Sequence, residues 1–134
     1  MQYQRAETPA LLNGVDAARR FLAHNFPVGS DRERLVVAHL DEATRCIGTS
    51  ECDGARGSVD LPLRAIVADM ARLGSAGLVI AHNHPGGDTR PSQSDCTATR
   101  RLALACEAMD VALLDHLIFG NDQHCASMRR LGYL

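Results

Sequence analysis

Residues 62–81 constrain the fold more than any other stretch. Leu63, Ile66, Val67, Met70 and Leu73 recur on one stripe at helical spacing. Pro62 can open that helix and Gly74 can close it. The unbroken apolar run Leu78–Ala81 follows, and it reads as a short strand central in a sheet. A helix of crossover length feeding a buried strand predicts layers of helices against a sheet. The flanking chain fits that reading. Thr8-Pro9 opens a helical pattern through Leu11, Leu12, Val15, Ala18 and Phe21-Leu22 that stops near Asn25. A strand is expected over 33–41 (ERLVVAHLD), a turn over 41–44, a weaker strand over 45–50 and a loop over 51–57. A second long helix is expected over 92–109, a strand over 111–119, and a last strand or turn over 125–128. The expected fold class is α/β: one layered domain over 1–134, with a mixed central sheet flanked by helices.

With 134 residues there is room for one core and little else. No apolar run approaches the ~18 residues of a membrane span. The first dozen residues lack an apolar segment behind a basic head. A soluble, cytoplasmic protein without a membrane partner is expected. The net charge of −2 gives no electrostatic drive toward nucleic acid. Paired arginines such as Arg100-Arg101 read as solvated helix edges. Cysteines stand at 46, 52, 96, 106 and 125, with no C-x-x-C pair. That spacing speaks against a disulfide scaffold or a zinc knuckle and for reduced thiols, with Cys96 and Cys106 as small core residues.

Chemistry concentrates in His82-Asn83-His84-Pro85-Gly86-Gly87-Asp88-Thr89-Arg90-Pro91-Ser92-Gln93-Ser94-Asp95. Two histidines two apart at a strand's end face the same way, with Cα atoms ~6.6 Å apart. Zinc–nitrogen bonds of ~2.0–2.1 Å can span that gap. The Pro/Gly loop reverses the chain and returns Asp95 at the first turn of the next helix. Three protein ligands leave one position for water, which marks a catalytic zinc rather than a structural one. Ser92 to Asp95 also matches a helix capping box, and the two roles of Asp95 are compatible.

The same segment resembles, without a gap, the JAMM (MPN-plus) metalloprotease motif, H-x-H, seven residues, S-x-x-D. It is most similar to the RadC branch. The matching residues are His82 to Asp88, Pro91-Ser92, Leu113-Leu114-Asp115-His116-Leu117-Ile118 and Gly120, and Ser127 and Gly132 suit the family's terminal strand. The motif-bearing part covers about 33–134. Departures are Gly86 where the family has serine, Ala65 after Arg64 where it has glutamate, and a poor match over 46–62. The chain as given is also too short for the helix-hairpin-helix segment that RadC proteins often carry, which weakens the link to DNA repair.

The resemblance implies a JAMM/MPN domain with cytidine-deaminase-like layering. It implies Zn2+ held by His82, His84 and Asp95, and hydrolysis of a peptide or isopeptide bond by a metal-activated water. A glutamate from an upstream strand takes that water's proton; Glu33 is the best match and Glu51 the runner-up. Ser92 supports the oxyanion or simply caps its helix. The partner expected is a peptide or protein substrate, with a homo-oligomer admitted and nucleic acid disfavoured. The alternative is a RadC-type DNA-repair-associated or catalytically silent interaction module. A zinc nucleoside deaminase would need H-x-E and P-C-x-x-C, and neither occurs. Asp115 and His116 read as a buried hydrogen-bonded pair that shapes the core or supports the ligands. His24, His39 and His124 carry no spacing argument.

Overall fold

The computed structural model describes residues 1–54 and 61–134. Among these residues ten elements follow one another. They are β1 (Gln2–Arg5), α1 (Val15–Leu22), a 3-10 turn (Ala23–Asn25), β2 (Arg34–Leu40) and β3 (Cys46–Asp53). Then come α2 (Leu63–Leu73), β4 (Gly77–Asn83), α3 (Gln93–Ala108), β5 (Ala112–Phe119) and β6 (Cys125–Ser127). The strands form one six-stranded mixed sheet in the order β1-β3-β2-β4-β5-β6. Among the described residues only β4 and β5 pair in parallel, and α3 makes the crossover between them. Helix α2 carries the chain from β3 over β2 to β4. The α/β fold class expected from the sequence is the one found.

Apolar residues cover both faces of the sheet, which is why its centre tolerates unbroken runs. All seven residues of β4 are buried. Under α1 lie Val36, Ala38, Val79, Ala81, Leu117 and Phe119, with Phe26 stacked on Phe119 at 4.8 Å. Under α2 and α3 lie Leu35, Val37, Leu78 and Ile80, packed against Ile66 of α2 and Leu102 of α3. Alternation along β2 and β4 sorts these residues cleanly between the faces.

Three local expectations are corrected. The first helix starts at Val15, not at Thr8-Pro9. The chain before it is tied to the strand region: the Leu12 N–H donates to the Thr44 carbonyl, and the Cys46 N–H to that of Ala10. Strand β3 runs through Glu51 and Cys52 to Asp53, where a loop was expected. Flanking strands on both sides hold it, with Glu51 opposite Val36 on β2 and Gln2 on β1. Positions 55–57 of that expected loop lie outside the described residues. Finally, β6 ends at Ser127, and Gly132 sits in the turn beyond it with φ of 90°.

Candidate metal centre

Three pieces of backbone meet at the carboxyl end of β4. The strand delivers His82, the residue past its end delivers His84, and the first turn of α3 delivers Asp95. The side chains of His82 and Asp95 are 0% and 3% exposed, while that of His84 is 21% exposed and forms the open side. One donor atom from each residue lies within 4.8 Å of the others. His82 Nε2 is 3.0 Å from His84 Nε2 and 3.2 Å from Asp95 Oδ1; His84 Nε2 is 3.1 Å from Asp95 Oδ2.

Local structure fixes these positions. The His84 N–H donates to the Phe119 carbonyl on β5, which extends the sheet pairing past β4. Asp95 belongs to a complete capping box. Its amide donates to Ser92 Oγ at 3.0 Å, and its Oδ2 accepts from the Ser92 amide at 2.8 Å. Ser92 itself is exposed, with its hydroxyl 3.0 Å from that of Ser94.

The donor set fits a cation. His84 Nδ1 is 2.7 Å from the Asp88 carbonyl, which can only accept. Nδ1 therefore carries the hydrogen, and in the neutral ring Nε2 is a bare lone pair. Burial favours a protonated Asp95 carboxyl. The His82 and His84 rings beside it and the bond from the Ser92 amide outweigh that and hold the group well below the usual carboxylate range. An ionised carboxylate and an imidazole lone pair at this distance repel unless a positive charge stands between them. The His84 pKa is correspondingly raised, first by the Asp95 hydrogen bond and last by the charge of Glu33. Donors held ~2.0–2.1 Å from one tetrahedral zinc lie ~3.3 Å apart, close to the spacing here. Two imidazoles with one carboxylate suit zinc and its neighbours better than magnesium or calcium, which prefer all-oxygen sets.

Glu33 lies just before β2, on the same side as the cluster. Leu35 pairs with His82 across the sheet, and Glu33 continues that alternation. The Asn83 side chain brackets it, accepting from the Arg34 amide at 2.7 Å and donating to the Arg32 carbonyl at 2.8 Å. Glu33 Oε2 is buried and has no hydrogen-bond partner among the described residues. Glu51 pairs with Val36, which pairs with Ala81, so it lies on the α1 face instead. There the Asn25 amide donates to it at 3.5 Å.

The Asp115-His116 pair splits between the two faces. His116 Nε2 reaches His82 Nδ1 at 2.6 Å. Burial pushes the His116 pKa well down. Asp115 accepts from Ser127 Oγ at 2.5 Å, from the Arg129 amide at 3.1 Å and from the His116 amide at 2.7 Å. Sequence reasoning missed Thr99, whose hydroxyl lies 2.6 Å from His116 Nδ1 and donates to the Asp95 carbonyl at 2.7 Å. The available signal was its place one helical turn after Asp95, on the same face of α3.

All five thiols are free. Burial raises Cys125 to about 12 and Cys106 to about 11, and it raises Cys46 and Cys52 as well. Cys106 is a core residue as expected; Cys96 is only half-buried.

A family model described as the RadC-like JAB domain matches residues 12–133. The chain belongs to the RadC-like JAB domain family. The match begins ahead of the motif-bearing segment and takes in α1. This RadC-like JAB domain carries a His-His-Asp group that can hold a metal ion. Among its described residues, no helix is long and apolar enough to cross a membrane.

Proposed function

We propose that this RadC-like JAB domain is a cytoplasmic zinc-dependent amide hydrolase acting on a peptide or isopeptide bond. The observation that carries the reading is the convergence of His82, His84 and an ionised Asp95 on one point, with the free carboxylate oxygen of Glu33 on the same side. A zinc ion in that position supplies a water of lowered pKa and polarises a carbonyl oxygen.

The remaining work falls to the chain. Asp95 contributes the negative charge of the ligand set, and its capping bonds hold its orientation. Glu33 accepts the proton of the attacking water and returns it to the leaving amine. Its carboxylate is half-buried and its Oε2 has no competing partner among the described residues, so the oxygen is free for that proton. Ser92 Oγ accepts from the Asp95 amide, and with Ser94 donating across their shared contact its own hydrogen is left for the developing oxyanion. His84 marks the side by which an extended peptide or protein substrate enters. The reaction needs no cysteine, which agrees with the raised thiols of Cys46, Cys52, Cys106 and Cys125.

The test is turnover on a panel of ubiquitin-like conjugates and short peptides. Cleavage that a chelator abolishes and added zinc restores is the expected result. A zinc-loaded protein that cleaves none of them sinks the hydrolase reading and favours a silent interaction module.

A further inference from the structure

His84 owes its tautomer to a backbone carbonyl, but His82 has no such partner. Its Nδ1 faces another imidazole, His116 Nε2, at 2.6 Å. Either ring can donate across such a contact. The direction matters, because a neutral ring protonated at Nδ1 is bare at Nε2, and the reverse tautomer places a hydrogen where an ion should sit.

Thr99 makes the choice, one contact further out. Its hydroxyl has a single hydrogen, spent on the Asp95 carbonyl at 2.7 Å. The thioether of Met128, at 3.6 Å, is a longer and weaker competitor. Thr99 Oγ1 then has only lone pairs to offer His116 Nδ1 at 2.6 Å, so His116 Nδ1 must carry a hydrogen. His116 is fully buried, and its ring contacts only His82 and Thr99 by hydrogen bond among the described residues. A ring so enclosed stays neutral with one hydrogen, and its Nε2 accepts. His82 Nδ1 must donate, and His82 Nε2 is left bare toward Asp95 and His84.

We infer that His116 and Thr99 are positioning residues, fixing His82 as the Nδ1–H tautomer so that its Nε2 lone pair points into the metal group. The relay starts at one ligand, His82, and ends on the backbone of another, Asp95. It ties β4, β5 and α3 together beneath the site. The inference rests on the reading that the group holds a metal.

Two measurements test it. Nitrogen-15 spectra of the imidazole rings in the metal-free protein are expected to show His82 and His116 both protonated at Nδ1 and bare at Nε2. Zinc titration against a chromophoric chelator is expected to show Thr99→Val binding ~10–100-fold more weakly than wild type, the usual cost of losing an outer partner of a ligand. Thr99→Ser, which keeps the hydroxyl, restores near-wild-type affinity, a rescue that a purely space-filling role does not predict. A hydrogen on His82 Nε2, or a folded Thr99→Val that binds zinc like wild type, overturns the inference. If wild type takes up no zinc at all, the hydrolase reading falls, and the spectra still decide the tautomer.

Discussion

His39 and His82 are both fully buried on the same face of this sheet, and of the two only His82 belongs to a site. His39 pairs with Leu78, and His82 pairs with Leu35, both against α2 and α3. His39 has one side-chain partner, Ser75 Oγ at 2.8 Å, and its Nε2 has none among the described residues. Burial drives its pKa down to about 4, against a smaller upward pull from Asp69. At His82 both ring nitrogens are engaged, and an ionised carboxylate stands 3.2 Å away. Burial alone therefore does not distinguish a functional histidine. What distinguishes it is a set of acceptors that converge and need a cation.

The largest effect that can break this comparison is loss of the metal. The wild-type chain is expected to carry about one zinc, and His82→Ala or Asp95→Ala to carry essentially none, since a catalytic site has only three protein ligands to spare. His39→Gln should keep its full complement. Elemental analysis of the purified proteins decides, and full zinc in His82→Ala would dissolve the distinction.

Next in size is the separation of chemistry from folding at Glu33. Glu33→Gln keeps the size and removes the base, so hydrolysis should fall by the ~10²–10⁴ that general-base catalysis contributes, with zinc content and melting temperature unchanged. Glu51→Gln, on the other face, should cleave normally. The opposite pattern in steady-state rates moves the base to Glu51.

His39 supplies a smaller, opposite signature. Its folded pKa of about 4 lies below the ordinary 6.5, so the unfolded chain binds the extra proton between those values. Stability contributed by the neutral ring is present above pH 6.5 and is lost as pH falls toward about 4. The full loss is on the order of 3 kcal/mol, at ~1.4 kcal/mol for each tenfold change in proton affinity. Denaturant titrations of metal-free wild type and His39→Gln should diverge across that window. Parallel curves would mean that His39 is not held neutral.

The smallest expected effect is on duplex DNA. A net charge of −2 offers little to a phosphate backbone. Gel shifts at physiological salt should show nothing tighter than the ~10⁻⁴–10⁻⁶ M of non-specific binding. Sub-micromolar binding with a steep salt slope would revive a nucleic-acid role.

Long-range pairing explains where sequence reading stopped short. The run 78–81 and the stripe on α2 are local patterns, and both elements appear where periodicity put them. The H-x-H and S-x-x-D residues are legible because a strand end and a capping box are also local. Strand β1 (QYQR) is polar and lies at the sheet edge, with no apolar alternation to announce it. Leu12 mimics a helical residue because its burial comes from packing against the sheet, not from a helix of its own. Glu51 and Cys52 are strand residues by virtue of neighbours on both sides. Thr99 acquires its meaning only when β5 brings His116 beside it, and no spacing along α3 encodes that meeting.

The shared carboxylate of Asp95 also bears on how such a site can be lost by drift. The start of α3 asks of position 95 only a side chain that reaches back to the Ser92 amide, and glutamate or glutamine does so in an ordinary capping box. The ion asks for an oxygen at one place, 3.1–3.2 Å from two imidazole nitrogens. A substitution there can erase the second requirement while satisfying the first. The helix would form, the core would pack, and the descendant would look intact while its chemistry was gone.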